Sequence, residues 1–255
     1  MASQKIIEVN NLSTRLGNED ILQNISFSAY KGEVTVILGG SGSGKTTLLK
    51  TILGLYQAYE GDVNILGNHL FDLDEVELDK LYMQMGVFYQ EGALLNSLTV
   101  GENVALPLEQ HTNLPRELIE QIVRMKLSLV NIEHAFNLYP SELSGGMLKR
   151  AAIARAIIMD PPILFCDEPG AGLDPVSLDQ LDQLILNLKH QLGMSVVMVT
   201  HEVSSILKIA NRIVFLSNGK LLFEGPFAEA ISSNIPEIDE FFRKGKWVGP
   251  GINTG

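Results

Sequence analysis

Apolar and polar positions along this chain fall into short blocks whose period switches between two and about 3.6. Ile6 to Leu12 and Ile25 to Ala29 alternate as half-buried strands do, with Gly17-Asn18 between them as a turn signal. Val34 to Leu38 is a continuous, β-branched apolar run, the pattern of a buried strand, and Thr46 to Leu53 follows at helical spacing. Gly61 to Leu66 predicts a strand closed by Gly67-Asn68, Asp72 to Met85 a helix, and Gly86 to Gln90 a strand ending in an amide. Val100 to Leu106 predicts a short helix stopped by Pro107, and Pro115 to Leu129 an amphipathic helix with its proline near the first turn. Leu148 to Met159 predicts a long helix, ended by Asp160-Pro161-Pro162. Ile163 to Glu168 is an apolar strand finishing in two carboxylates. A helix from Leu178 to Leu192, a strand from Ser195 to Thr200 and a helix from Ser204 to Ala210 come next. Ile213 to Leu216 and Leu221 to Glu224 then flank Asn218-Gly219 as a hairpin.

Strands alternating with helices predict an α/β fold with a mostly parallel sheet, here behind an N-terminal antiparallel β subdomain. The segment from about 91 to 159 is mostly helical and interrupts the alternation, so it reads as an inserted helical subdomain. One domain then spans 1–230, with its core in 1–90 and 160–230. Residues 231–255 form a tail carrying Phe241, Phe242 and Trp247.

With 255 residues and 45% hydrophobic content the chain can bury a full core. Its net charge of -11 disfavours a nucleic-acid partner, which demands a basic face. Lone Cys166 forms no internal disulfide and fits a reducing compartment. No apolar run approaches the roughly 18 residues of a membrane span, and Met1 to Lys5 opens no signal peptide. A membrane role would therefore run through a partner.

The chemistry concentrates after the Val34 to Leu38 strand. Gly39, Gly40, Ser41, Gly42, Ser43, Gly44, Lys45 and Thr46 match the phosphate-binding template G-x-x-x-x-G-K-[ST] at every fixed position, and Thr47 continues it. Glycines let successive N–H groups curl around phosphate oxygens, and the following helix points its positive end at the same anion. Lys45 supplies a mobile charge for the phosphates and Thr46 a hydroxyl for Mg²⁺, so the chain is expected to bind a nucleoside triphosphate. Asp167, at the end of a buried strand, would hold Mg²⁺, and Glu168 would orient or deprotonate the attacking water. In Leu143-Ser144-Gly145-Gly146-Met147, Ser144 is placed to cap the long helix, while the glycines leave room for an anion. A plain capped helix and a second anion site both fit that segment. Gln90 ends a strand where an amide could reach metal or water, and His201 ends another, where it could meet the γ-phosphate.

Together these segments resemble the ATP-binding cassette family of transport ATPases, over about Ile6 to Gly225. Walker A is Gly39 to Thr46, the Q-loop residue Gln90, the signature Leu143 to Met147, Walker B Ile163 to Asp167 with Glu168, the D-loop Ala171 to Asp174, and the switch residue His201. The stretch from Tyr89 to Val104, and a signature ending in Met147, are similar to Mla-type phospholipid-transport ATPases that work with MCE-domain proteins. The resemblance implies a homodimer that sandwiches two ATP molecules with Mg²⁺. Ser144, Gly145 and Gly146 of one copy would reach the nucleotide held by Lys45 of the other, and Gln90 would join the metal site. It also implies an integral membrane permease, an MCE-domain protein, a STAS-domain regulator as a further partner class, and a peripheral place on the cytoplasmic face of the inner (plasma) membrane. A polar-solute importer ATPase and a non-transport, ATP-switched cassette are the alternatives. Two positions depart from the family pattern: Leu16 stands where an aromatic often stacks on adenine, and Met147 where an amide is usual. The tail from Phe241 to Gly255 either reaches the neighbouring subunit or buries Phe241 and Trp247 within its own chain.

Overall fold

A computed structural model describes residues 4–90 and 92–244. These form two compact units, 4–73 with 198–244, and 74–197. The expected α/β class is borne out: one sheet is antiparallel, and the other strands pair mostly in parallel.

The first unit opens with a long hairpin, β1 (Lys5–Leu16) and β2 (Glu19–Tyr30), turned at Gly17, whose φ is 61°. Both strands outrun the alternating stretches in the sequence because bulges shift their phase. Asn11 and Asn24 sit at left-handed φ of 48° and 52°, which asparagine tolerates better than most residues, and the Asn11 N–H donates to Ser26 Oγ at 2.8 Å. β3 (Val34–Gly39) is buried at all six positions, which is why it reads as an unbroken apolar run. It delivers the chain into α1 (Lys45–Ile52). β4 (Glu60–Ile65) and β5 (Asn68–His69) complete an antiparallel sheet of order β2-β1-β4-β5.

The second unit begins with α2 (Glu75–Tyr82), capped reciprocally by Asp74 and Glu77. β6 (Met85–Phe88) stops two residues short of Gln90, so that residue lies beyond the strand rather than at its end. α3 (Val100–His111) runs through Pro107 instead of stopping there. A Thr99–Glu102 capping box nucleates it, and buried Val104, Ala105 and Leu108 hold it on both sides of the proline. α4 (Arg116–Leu129) and α5 (Gly145–Ala156) follow, and no strand interrupts the described residues between 89 and 162. β7 (Ile163–Asp167) pairs in parallel with β6, and β8 (Ser195–Val199) carries the chain from this unit back to the first. Between β7 and β8, α6 (Pro175–Leu192) starts a turn earlier than its apolar spacing suggests, because Asp174 caps it and Pro175 suits the first helical position.

Back in the first unit, α7 (Val203–Ile209) leads to β9 (Arg212–Ser217), which lies parallel to β3 with Ile37 opposite Val214. The expected hairpin at Asn218-Gly219 joins β9 to β10 (Lys220–Pro226). α8 (Phe227–Ile231) and α9 (Pro236–Lys244) end the described chain. Ile238 and Phe242 are buried, and the Phe241 ring stands edge-on to Phe215 at 5.7 Å, so this part of the tail packs within its own chain. Trp247 lies outside the described residues. No described helix is long and apolar enough to cross a membrane.

Candidate functional site

In the first unit, the segment from Gly39 to Thr47 is held from below by atoms that leave no room for side chains. A Cβ on Gly39 would meet Leu216 O at 2.2 Å and Ser43 Oγ at 2.5 Å. One on Gly44 would meet Leu22 Cδ2 at 2.7 Å, and Gly44 also has φ of 99°. Gly42, at φ 75°, bends the crest of the loop, while Gly40 has ordinary φ and no described atom within 4 Å of its Cβ position. Lys45 Nζ donates to Gly39 O at 3.0 Å and to Gly40 O at 2.9 Å, tying its ammonium across the loop mouth. α1 starts at Gly44 without a side-chain cap, so its first N–H groups face the loop with the helix's positive end behind them. Ser43 Oγ is buried with no hydrogen-bond partner among the described residues. Helix N-terminal N–H groups, an adjacent ammonium and a glycine cradle together fit a phosphate chain. Thr46 is exposed, Thr47 is half-buried, and His201, two residues past β8, is exposed with Nε2 3.6 Å from Glu202 Oε1. Leu16 ends β1 opposite Glu19 and is 39% exposed, while Arg15 beside it lies over the Tyr59 ring at 4.7 Å.

The second unit carries the remaining candidates. Asp167 closes β7 half-buried, and Glu168 follows at φ 46°, a left-handed conformation that a glutamate adopts only when its surroundings impose it. Ser144 caps α5 as expected, its Oγ accepting from Met147 N–H at 3.3 Å, and Gly145 and Gly146 form the first turn of that helix. Asp174 accepts from the N–H groups of Val176 at 3.0 Å and Ser177 at 3.1 Å. The Ser177 hydroxyl, then its N–H, hold the Asp174 carboxyl below the usual carboxylate range. Burial pushes the thiol of Cys166, inside β7, well up.

Two further residues organise this unit without having stood out in the sequence. Asn103 is fully buried on α3, and its amide donates to the carbonyls of Leu95, Leu98 and Thr99 at 2.9 to 3.1 Å while accepting from Leu95 N–H at 2.7 Å. Arg155, on α5, donates to Gly92 O and Ala93 O, both at 2.8 Å, where the backbone takes left-handed φ of 74° and 49°. Glycine suits position 92, where φ is 74° and a Cβ would stand a tight 3.2 Å from Ala152 Cβ on α5. Only the coincidence of a polar residue with an apolar helix face hinted at either role.

Comparison with known proteins places this geometry in a family. Residues 22–171 match the family model described as ABC transporter. The intermembrane phospholipid transport system ATP-binding protein MlaF of Haemophilus influenzae is 40% identical over 97% of this chain and 94% of its own. The Escherichia coli K12 protein of the same name is 38% identical over 92% of this chain and 88% of its own. A probable ribonucleotide transport ATP-binding protein, mkl, of Mycobacterium bovis is 36% identical over 96% of this chain and 68% of its own. Among solved structures, cbiO1 of Clostridium perfringens superposes with a TM-score of 0.83 at 27% identity, covering 94% of each chain. The dimeric cassette MJ0796, in a post-hydrolysis state bound to ADP and Pi, gives 0.78 at 33% identity, covering 86% of this chain and 98% of that one. The family match over residues 22–171 and the identity along nearly the whole chain show that it belongs to the ABC transporter family, as an ATPase subunit of a transporter.

Proposed function

We propose that this subunit powers phospholipid movement, as a homodimer on the cytoplasmic face of a bacterial inner membrane, with a membrane permease and an MCE-domain protein. The observation that carries the reading is the 40% identity to the Haemophilus influenzae phospholipid-transport subunit, which runs along 94% of that protein and is not confined to the ATPase motifs. A groove of about 370 Å³ in the second unit supports it, lined by Tyr82, Met85, Tyr89, Pro107, His111 and Arg155. Its wall, aromatic and thioether side chains beside Asp79, His111 and Arg155, suits an amphipathic helix presented by a permease.

Within this reading the loop from Gly39 to Thr47 binds the triphosphate, with Lys45 neutralising its charge. Thr46, Gln90 and Asp167 are the Mg²⁺-facing groups. Held by these groups, Mg²⁺ would offset phosphate charge in the transition state. Glu168 orients and deprotonates the attacking water, and His201 donates to the γ-phosphate. Ser144, Gly145 and Gly146 complete the pocket of the opposite protomer, so closure of the dimer is driven by contacts that exist only while the γ-phosphate is present.

Reconstitution with the permease and MCE-domain protein in liposomes tests the proposal: ATP should drive transfer of labelled phospholipid. Glu168→Gln should cut hydrolysis by about a hundredfold or more while ATP-bound dimers accumulate, because general-base catalysis is worth about 10²–10⁴. The 36% identity to the mycobacterial transport protein favours a second reading, import of a polar solute. ATP-driven uptake of such a solute without lipid movement would replace the first reading with that one.

A further inference from the structure

α5 begins at Ser144 and passes beneath the segment that follows β6, and one of its buried side chains is a cation. Lys149 is 9% exposed. Its Nζ donates to Gln90 O at 3.4 Å and stands 5.7 Å from the centre of the Phe88 ring. Burial lowers its pKa, and the negative charge of Glu168 acts in the opposite sense. A buried ammonium is costly unless its surroundings answer it, and an apolar residue of similar shape would commonly do as well or better for folding. Here the answering groups in contact are a carbonyl and a ring face, and the carbonyl belongs to Gln90, a residue with a role in hydrolysis. One and a half turns further along the same helix, Arg155 holds Gly92 O and Ala93 O. The segment from Gln90 to Ala93 is therefore tied to α5 through side-chain cations at both ends.

We propose that Lys149 is a positioning residue for ATP hydrolysis: it fixes the Gln90 backbone of its own chain to the helix whose first turn is Ser144 to Gly146. Lys149 acts through the Gln90 backbone that it holds. It couples two halves of the machinery. α5 offers its N-terminal turn to one nucleotide and steadies the Gln90 segment beside the other, so a shift of this helix on dimer closure reaches Gln90 directly. The inference rests on the roles given above to Gln90, Glu168 and Ser144.

The test compares the full-length wild type with Lys149→Met, which keeps the side-chain length but removes the charge, and with Lys149→Arg and Glu168→Gln. Lys149→Met should lower kcat about tenfold with KM for ATP changed by no more than about twofold, as expected when groups that orient metal-site residues are lost. Its melting temperature should equal or exceed that of the wild type, and Lys149→Arg should recover most of the kcat. In the Glu168→Gln background, Lys149→Met should leave the ATP-bound dimer intact. If Lys149→Met keeps kcat within about twofold while Glu168→Gln abolishes hydrolysis, the Lys149 role alone is overturned. A joint fall of kcat, ATP affinity and melting temperature, without recovery in Lys149→Arg, also overturns it, since that is the pattern of a purely structural residue. Should Glu168→Gln hydrolyse ATP at the wild-type rate, the assignment of Glu168 falls and the positioning role with it.

Discussion

Two glycine-rich turns open helices in this protein, and they are glycine-rich for opposite reasons. In the loop from Gly39 to Gly44 the requirement comes from the chain itself. Gly39 and Gly44 face the Leu216 carbonyl, Ser43 and Leu22 at distances no Cβ tolerates, and both have positive φ. In the turn from Ser144 to Met147 the chain makes no such demand. Gly145 and Gly146 lie in the first turn of α5 with ordinary φ, and no described atom outside that helix comes within 4 Å of a Cβ at either. Glycine within a helix is about 1 kcal/mol less favourable than alanine, so two in succession weaken α5 with no gain in its own packing. Fold explains the first turn. The second leaves open space for a group from outside the chain, which is the role that the proposed dimer gives it.

Gly39→Ala should therefore be the most damaging of the simple substitutions. The added carbon meets a backbone carbonyl of β9 at 2.2 Å, which cannot move without disturbing the β3–β9 pairing. We expect a stability loss of about 3 kcal/mol or more and ATP binding below detection, from overpacking and backbone strain combined. Thermal melting with a fluorescent nucleotide titration reads both. A variant that melts like the wild type would mean that the cradle is looser than its distances indicate.

Gly146→Ala should separate the two turns most clearly, because stability and activity should move in opposite directions. Helix propensity predicts a gain of up to about 1 kcal/mol, the helix-interior figure being an upper bound in the first turn, or a melting temperature higher by up to about 2–4 °C. A methyl that displaces the approaching phosphate by about 1 Å should cost about a hundredfold in kcat. Loss of stability here, or full activity in a more stable protein, would break the contrast.

The phosphate loop could be read from sequence because its template is local: strand, glycines, lysine and helix follow one another, and each step constrains the next. The carboxylates at the end of β7 and the cap at Ser144 were legible for the same reason. Contacts that leave no periodic trace were not. Pro107 marks a helix stop by every local rule, yet buried neighbours carry α3 past it. The bulge at Asn11 shifts the alternation of β1 by one residue, so that strand appears shorter than it is. Arg155 and Lys149 reach carbonyls about sixty residues earlier in the chain, a pairing that only the folded helix reveals.

The contrast also predicts an exception inside the phosphate loop itself, with the smallest effect of the three. Gly40 is as much a part of the glycine run as Gly39, but its φ is ordinary and no described atom lies near its Cβ position. Its carbonyl, which accepts from Lys45 Nζ at 2.9 Å, would survive a methyl on the neighbouring carbon. Where the native conformation already suits alanine, the substitution mainly restricts the unfolded chain, for a gain of about 0.4–1 kcal/mol. Gly40→Ala should thus melt at or slightly above the wild-type temperature and keep ATP hydrolysis within about threefold, a change of less than about 0.7 kcal/mol in barrier. If it instead behaved like Gly39→Ala, the glycines of this loop would act through flexibility shared along the run, and the distances beneath Gly39 and Gly44 would not be what selects them.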